Sequence, residues 1–399
     1  MKNYMIKEVK TSRDAKIFRS VPAKIYKGDP NWVHPLDSDI EVVFDPSKNE
    51  RFKGGEAIRW VLFDGTEPIA RIAAFYNTED AAREPQPTGA CGFFECPDDQ
   101  QIANLLFDTA REWLLERGME AMDGSVNFGD RMMWWGVLVE GFTQPLYGMN
   151  YNKPYYEKLF ESYGFCNYFN QHTFVRPFNK DIVMEAVNQK ADRLYDNPEY
   201  KFTTFDKKNP EKMAQDIMTV YNSAWSKFEG VKLLNIEHAR DMVNSMMPII
   251  DPEILYFAYH NDQAVGFFIM VPDINQIIGR FKGKLGLVNK LRFLWLLKVS
   301  RKVSRINGLM FGVRADYQGK GLESGLIRRL EIYTEERRAS GKEVYKGLEL
   351  GWVGDFNPVM IRMCESYVKA VKFKRHVTFR YLFDREKPFT RCPRLGRKK

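Results

Sequence analysis

Apolar and polar positions follow strand and helix periods in an order that occurs twice along the chain. Alternation over short runs predicts strands, and apolar residues three or four apart predict helices. In the first half these patterns predict a hairpin around Asp64 and Gly65, a strand at 90–96, a helix at 99–117, a strand near 121–128 and a helix at 155–165. The second half repeats this series with a hairpin around Asn261 and Asp262, a strand at 308–313, a helix ending at Ala339, a strand at 345–353 and a helix carrying Glu365.

Two stretches support an internal repeat directly. Residues 161–176 and 365–380 align without a gap and share Glu, Ser, Tyr, Phe, His and Arg at six of sixteen positions. Each stretch also follows a similar series of elements, so we expect one fold used twice. The predicted class is α/β (α+β), with a mixed sheet in each half.

The predicted domain limits follow from this repeat and from composition. The chain has 399 residues, enough for two or three domains. Residues 1–178 form the first predicted domain and 201–384 the second. The polar, weakly helical stretch 179–200 is the predicted linker, and 385–399 is a basic tail with seven basic residues and one acidic.

The net charge of +8 is concentrated in two places. Residues 276–305 carry nine Lys and Arg and no Asp or Glu, so this stretch and the tail contribute +9 and +6, and the remainder has a charge of −7. Because the body is mildly acidic, we do not expect a nucleic-acid surface spread over the fold. Within 276–305, Leu287, Leu291 and Trp295 share one face of a basic amphipathic helix. Packing on a domain core, contact with a membrane surface or lipid-like acceptor, and contact with an acidic or nucleic-acid partner are all compatible with this pattern.

Other features limit the class of protein. The first residues contain no apolar signal region, and no run of about 18 uncharged apolar residues occurs, so we expect a cytoplasmic protein. The five cysteines show no CxxC or Cys/His spacing, which argues against a disulfide framework and a structural zinc site. No metal is expected, and the sequence does not predict the oligomeric state.

A glycine-containing loop joins the strand at 308–313 to the following helix. Its sequence, RADYQGKGLESGL, covers residues 314–326. Gly319 and Gly321 would let an anion approach the unpaired N–H groups of the helix start, and Lys320 adds a positive charge. The loop is therefore a candidate phosphate cradle, with a simple turn as the alternative.

This loop and the order of elements around it resemble the GNAT superfamily of acyl-CoA-dependent N-acyltransferases. The paired halves, and the opening stretch KIYKGDPNWVHPL at 24–36, are similar to those of tandem-GNAT bacterial proteins. Gln318 and Gly321 match the loop motif of the superfamily, whereas Glu323 stands where that motif has a small residue. Glu323 either points to solvent, or the loop has lost its ligand. In the first half the corresponding stretch, ECPDDQQ, has no glycine, so we interpret that half as a degenerate domain that serves as a scaffold or acceptor-side wall.

The resemblance implies acetyl-CoA or another acyl-CoA as a substrate and suggests where it would bind. The loop N–H groups would hold the pyrophosphate, the strand before the loop would bind the thioester, and Asn357, otherwise a helix cap, would bind the pantetheine arm. The implied set of binding residues is Phe311, Gly312, Val313, Arg314, Gln318, Gly319, Lys320, Gly321, Leu322 and Asn357. Gly312 would also mark a bulge that separates the strands.

Candidate catalytic residues follow from the chemistry of amide formation, which needs a base for the amine and an acid for the leaving thiolate. Glu349, between Leu348 and Leu350, is the first candidate base, and each such carboxylate has a structural alternative. Asp273 and Glu229 are lesser candidates, and we interpret His260 as a hairpin residue.

For the acid, the position of the superfamily tyrosine holds Cys364, and Tyr367 lies one helical turn later. Packing is the alternative for both residues.

The leading hypothesis is thus an N-acyltransferase, with acetyl-CoA as the first donor to test, in which a small-molecule or peptide amine attacks the thioester directly. No Ser-His-Asp or Cys-His pattern suggests a covalent intermediate. The alternatives are a non-catalytic tandem-GNAT binding protein and an aminoacyl-tRNA-dependent peptidyltransferase.

Overall fold

The computed structural model describes residues 4–129, 131–179, 185–226 and 233–394. These residues form two compact units. The first unit consists of the described parts of 1–172, together with 278–290 and 374–392. The second consists of the described parts of 173–277, 291–373 and 393–399.

Thirteen strands and twelve α-helices alternate along the described chain. Through residue 177 they are β1 (Tyr4–Glu8), α1 (Ser12–Ile25), α2 (Asp37–Val43), β2 (Gly55–Asp64), β3 (Glu67–Asn77), α3 (Thr78–Ala81), β4 (Thr88–Glu95), α4 (Gln100–Leu115), β5 (Ala121–Gly124), β6 (Val137–Glu140), α5 (Tyr156–Tyr163) and β7 (Cys166–Pro177). The following elements are α6 (Glu185–Tyr195), β8 (Tyr200–Thr204), α7 (Pro210–Trp225), α8 (Ile236–Met246), β9 (Tyr256–His260), β10 (Gln263–Pro272), α9 (Asn275–Ile278), α10 (Leu287–Leu294), β11 (Arg305–Val313), α11 (Leu322–Ala339), β12 (Gly347–Gly354), α12 (Pro358–Arg362) and β13 (Val371–Leu382). Single π-helical segments continue α10 over Trp295–Val299 and α12 over Met363–Tyr367.

The sheet of the first unit has the order β1-β2-β3-β4-β5-β13, and β6 also pairs with β13. Only the β4–β5 pair is parallel among these neighbours. The predicted hairpin is formed by β2 and β3, which meet at Asp64 and Glu67. Helices α4 and α5 cover one face with buried aromatic rings, and Phe94 stacks on Phe107 with 4.6 Å between ring centroids.

The sheet of the second unit has the order β12-β11-β10-β9-β8. Here β11 and β12 are parallel and the other neighbours antiparallel. The predicted hairpin turn lies at Asn261 and Asp262, whose φ angles of 48° and 61° are in the left-handed region that Asn and Asp tolerate. Phe257 and Phe267 are fully buried against α7 and α8. Both units thus contain mixed, mostly antiparallel sheets flanked by helices, which confirms the predicted α/β (α+β) class.

The last strands of the two halves are exchanged between the units. Residues 374–382 of β13 belong to the first unit and pair with β5, from Phe379 opposite Gly124 to Leu382 opposite Ala121. The end of β7, from residue 173, belongs to the second unit, where buried Arg176 forms an ion pair with Glu331. The predicted limits of 1–178 and 201–384 do not include this exchange.

Helix α6 occupies most of the predicted linker, 179–200. Val187 and Ala191 are buried, and the hydroxyl of Tyr195 donates a hydrogen bond to the carbonyl oxygen of Gly325 in α11 at 3.2 Å. This part of the chain is therefore packed on the helix that follows the glycine loop.

None of the described helices has the length and apolar character that a bilayer span requires.

Candidate active site

The glycine loop connects β11 to α11 as the sequence pattern predicts. Gly321 is the N-cap residue of α11 with a φ of 91°, and Gly319 has a φ of 77°. Both angles favour glycine. Among the described residues, none other than its two chain neighbours has an atom within 4 Å of the position that a Cβ of Gly319 would take. The loop therefore presents its backbone to open space, as a phosphate cradle requires.

The two halves differ in how the helix after this loop is capped. In the first half, Oδ1 of Asp99 accepts hydrogen bonds from the N–H groups of Gln101 and Ile102, at 3.0 and 3.3 Å. In the second half Gly321 has no side chain to do this, and no described residue accepts a hydrogen bond from the N–H of Leu322. Helix α11 thus offers N–H groups and the positive end of its dipole to an anion, whereas α4 is closed by its own carboxylate.

The side chain of Glu323 turns toward the loop. Its Oε1 accepts a hydrogen bond from the N–H of Gly319 at 3.3 Å. The sequence left open whether this carboxylate faces solvent or the loop, and the structure shows the second orientation. Because a phosphate in the cradle would use the same N–H group, Glu323 is an internal competitor for it.

Two cations flank the loop and differ in availability. Arg314 is held by Asp316 through bonds of 3.2 and 2.9 Å to the two carboxylate oxygens. Lys320 is exposed, lies 5.0 Å from the ring centroid of Tyr317, and forms no ion pair with any described residue. His260, predicted as a hairpin residue, also contacts the loop, because its Nδ1 lies 2.8 Å from the hydroxyl of Tyr317. Lys320 is therefore the cation best placed to meet a phosphate.

The backbone before the loop is largely engaged with β10. Phe311, Gly312 and Val313 pair with β10, and the N–H of Arg314 donates to the carbonyl of Val265 at 2.9 Å. Gln318 donates from Nε2 to the carbonyl oxygen of Val313 at 3.2 Å, so its side chain holds the loop to the strand. Leu322 is fully buried and can offer a ligand only its backbone.

Strands β11 and β12 pair over four residues and then separate. The paired positions run from Arg305 opposite Gly347 to Gly308 opposite Leu350. In the first half β4 and β5 pair over three positions, and beyond this ladder the N–H of Val126 still donates to the carbonyl of Cys91 at 3.0 Å. The second unit thus leaves the β12-facing edge of residues 309–313 outside the ladder, at the place where the resemblance puts a thioester.

The predicted bulge is present but not at Gly312. The pairing of β10 shifts between Ile269 and Met270, which leaves Leu309 as the extra residue of β11. Gly312 pairs regularly with Phe267 of β10, and neighbouring side chains require a glycine at this position. A Cβ there would lie 2.8 Å from the ring of Phe267 and 3.0 Å from that of Trp225.

The candidate bases Glu349 and Asp273 both accept hydrogen bonds from the guanidinium of Arg305. Arg305 donates from Nη1 to Glu349 at 2.9 Å and from Nη2 to Asp273 at 2.7 Å. Both carboxylate side chains are fully buried. Glu349 lies opposite Asn307, one position before the strands separate. The cluster therefore sits at the start of the gap, and Glu229 lies outside the described residues.

The candidate acids differ in environment. Cys364 is buried, and desolvation raises the pKa of its thiol to about 12, which makes it a weak proton donor and argues against that role. Tyr367 is half-buried, and its ring centroid lies 5.9 Å from the ammonium of Lys190. Its repeat counterpart Tyr163 instead donates to Asp108 at 2.7 Å. The two tyrosines therefore do not share a structural role.

Asn357 caps α12 by accepting a hydrogen bond on Oδ1 from the N–H of Met360 at 3.2 Å. The cap uses only the side-chain oxygen, so the amide NH₂ can still donate to a ligand.

Sequence patterns did not predict two residues of the candidate site, Lys190 beside the loop and Arg305 in the carboxylate cluster. Lys190 of α6 has its carbonyl oxygen 4.0 Å from the position of a Gly321 Cβ, and its ammonium lies 5.9 Å from the centroid of Tyr367. Arg305 was counted only as part of a basic stretch. The spacing of Val187, Ala191 and Leu194 is the helical signal that could have placed α6.

Comparison with known proteins gives relatives of similar length. No protein-family model matches the chain. It is 26% identical over 364 residues to a protein of Caulobacter vibrioides named bacterial ceramide synthase, covering 90% of this chain and 92% of that protein. It is 25% identical over 386 residues to protein YghO of Escherichia coli, covering 93% and 94%.

Solved structures identify the fold. A tandem GNAT protein from the clavulanic acid biosynthesis pathway matches with a TM-score of 0.52 and 12% identity, over 96% of this chain and all of that one. A GCN5-related N-acetyltransferase from Sphaerobacter thermophilus matches with a TM-score of 0.50 and 12% identity, over 98% of both. The chain thus has the predicted tandem GNAT fold.

Proposed function

We propose that this tandem-GNAT protein is an acyl-CoA-dependent N-acyltransferase whose acceptor is a long-chain primary amine. The observation that carries the donor is the start of α11, where the N-cap Gly321 has no capping side chain and the N–H of Leu322 has no acceptor among the described residues. Lys320 adds the positive charge that a pyrophosphate needs. The first half, closed by Asp99, serves as a scaffold.

The proposed reaction is direct attack of the amine on the thioester. The amine nitrogen forms a bond to the carbonyl carbon, the carbon–sulfur bond breaks, and the products are an amide and free CoA. Glu349 accepts the proton that the amine loses, directly or through water. Tyr367, which is half-buried, donates a proton to the departing thiolate. The amide of Asn357 binds the pantetheine arm.

The acceptor class comes from the relative named bacterial ceramide synthase. A ceramide is the N-acyl form of a long-chain amino alcohol, so its synthesis is amide formation on a lipid amine. Identity of 26% over 90% of this chain makes the same bond type the first choice here.

The test offers acetyl-CoA and palmitoyl-CoA as donors and sphinganine as the acceptor. Amide product is measured by mass spectrometry and free CoA by thiol titration. Gly319→Trp should block the cradle and raise the Kd for acyl-CoA at least tenfold. The matched control is Gly65→Trp, because Gly65 also has a positive φ of 59° and no atom within 4 Å of its Cβ position. Equal loss in both variants, or product formation that Gly319→Trp leaves unchanged, would contradict the cradle assignment.

A binding protein without catalysis is the second candidate, and the contact between Glu323 and Gly319 favours it. A carboxylate in the cradle weakens phosphate binding by charge and by occupying a donor. If the native chain binds neither donor and forms no amide, but Glu323→Gly binds acyl-CoA, the fold has kept its loop and lost its cofactor.

A further inference from the structure

The helix α10 and its π-helical continuation expose a row of large apolar side chains. Leu287, Leu291, Trp295 and Val299 are spaced four residues apart and have exposed fractions of 76%, 63%, 54% and 69%. Val288 in the first turn is 77% exposed. These five side chains are called the apolar stripe below. Exposed apolar residues in a continuous row are typical of a contact surface rather than of an ordinary protein surface.

The same helix has a second apolar face that is buried. Phe293, Leu296 and Leu297 lie in the core of the second unit, with exposed fractions of 7%, 4% and 9%. Packing on a core, one of the hypotheses from the sequence, is therefore true of these three residues. The apolar stripe lies on a different side of the helix from these buried residues. Packing on the core therefore explains the buried residues but not the exposed apolar ones.

The charged residues of 276–305 all have one sign, and the carboxylate of Asp37, which lies beside Gly283, forms an ion pair with Arg19. Eight Lys and Arg residues are exposed there, and none of them forms an ion pair with a residue of the described ranges: Arg280, Lys282, Lys284, Lys290, Arg292, Lys298, Arg301 and Lys302. Ion pairs at the surface do occur elsewhere in the described chain, as between Arg240 and Glu211 and between Arg337 and Glu253. With no Asp or Glu in 276–305, the partner must supply the negative charge.

We infer that the apolar stripe and its surrounding cations dock on the surface of an anionic lipid membrane. Leu291, Trp295 and Val299 would enter the boundary between headgroups and acyl chains, where tryptophan is favoured. The cations would lie at the level of the headgroup phosphates, which attract them. A nucleic acid would match the charges but offers no apolar layer for the stripe, and this makes a lipid surface the better fit.

The inference does not rest on the proposed function, and its test uses the full chain without any acyl-CoA. Sedimentation is measured with vesicles of phosphatidylcholine containing 30% phosphatidylglycerol, and with vesicles of phosphatidylcholine alone, at two salt concentrations. We expect binding to the anionic vesicles that weakens as salt rises. Binding to the neutral vesicles should be at least tenfold weaker.

Two pairs of substitutions separate the apolar and charged contributions. Leu291→Ser with Val299→Ser should lower partitioning to anionic vesicles at least tenfold, whereas the matched pair Val42→Ser with Leu115→Ser, also exposed, should not. Lys298→Glu with Lys302→Glu should have a similar effect. Its control is Lys16→Glu with Lys158→Glu, which makes the same change in net charge at exposed positions.

Insertion of the stripe is read from fluorescence. Brominated lipid should quench part of the tryptophan emission of the native chain, and Trp295→Phe should remove that part. Absence of vesicle binding would overturn the inference. So would binding that the apolar substitutions leave unchanged, which would indicate adsorption by charge alone. Binding of tRNA in place of vesicles would assign the cations to a nucleic-acid partner.

Discussion

The carboxylate of Glu323 accepts a hydrogen bond from the N–H of Gly319 at 3.3 Å, inside the loop that begins α11. The N-terminus of α11 is thus a candidate phosphate site, and the first turn of the same helix carries a carboxylate, Glu323, that occupies part of it. A ligand phosphate must displace this side chain, and displacement is possible because the bond is long and the loop is exposed.

Glu323→Gln should strengthen acyl-CoA binding about tenfold. The substitution removes a negative charge next to the pyrophosphate while keeping the shape of the side chain. Isothermal titration calorimetry with acetyl-CoA and palmitoyl-CoA measures the effect. Glu336→Gln, at an exposed position late in the same helix, makes the same charge change and should leave the Kd unaltered. Weaker binding by Glu323→Gln would mean that the carboxylate orders the loop for its ligand.

Tyr367→Phe should lower kcat of the proposed transfer about tenfold to hundredfold and leave KM nearly unchanged. It removes the proton donor for the thiolate without changing the packing of the ring. Steady-state kinetics with a thiol readout provides the measurement. The repeat counterpart Tyr163→Phe loses a bond to Asp108 and should instead lower the melting temperature with kcat retained. If Tyr367→Phe behaves in the same way as Tyr163→Phe, the phenol is structural.

Arg305→Met should destabilise the second unit by about 3–5 kcal/mol. The substitution removes the guanidinium that the buried carboxylates of Glu349 and Asp273 share, and breaking a buried ion pair by removing one partner is costly. Urea denaturation followed by circular dichroism measures the change in the free energy of unfolding. Arg240→Met breaks an exposed ion pair with Glu211 and serves as the control with little expected change. A small effect of Arg305→Met would show that the carboxylates are satisfied by other groups.

His376 should make the first unit less stable in acid. Burial lowers the pKa of its imidazole from 6.5 to about 4 in the folded state, where its Nε2–H donates to the carbonyl of Asn150 at 3.0 Å. Between these two values the unfolded chain binds more protons than the folded chain. Its contribution of about 3 kcal/mol is therefore complete above pH 6.5 and is lost as the pH falls to 4.

Urea midpoints measured from pH 7.5 to 4 test this prediction. The slope between pH 6.5 and 4 should be smaller for His376→Asn than for the native chain. His238→Asn, at an exposed position in α8, should keep the native slope. An unchanged slope in His376→Asn would assign the acid sensitivity to other groups.

Local patterns predicted the elements well where the cause is local. Asp64 with Gly65 and Asn261 with Asp262 specify tight turns by their own backbone preferences, and both hairpins are found. The helix after the glycine loop ends at Ala339 as predicted.

The remaining features depend on groups that are distant in sequence. The bulge lies at Leu309 and not at Gly312. Position 312 is glycine because the rings of Phe267 and Trp225 leave no room for a Cβ there, and both rings come from segments distant in sequence. The direction of the Glu323 side chain depends on its rotamer, which no sequence pattern specifies. The contact of Arg305 with Glu349 and Asp273 could not be predicted from the sequence, because it depends on the pairing of β11 with β12.

The exchange of strands also constrains how the protein can be divided or altered. A fragment that stops at residue 178 lacks β13 and would leave the edge of β5 at Ala121–Gly124 unpaired, open to association with other chains. Each half of the chain thus supplies a strand segment to the unit that the other half mainly builds. Removing or replacing either half therefore also removes sheet residues from the unit that remains.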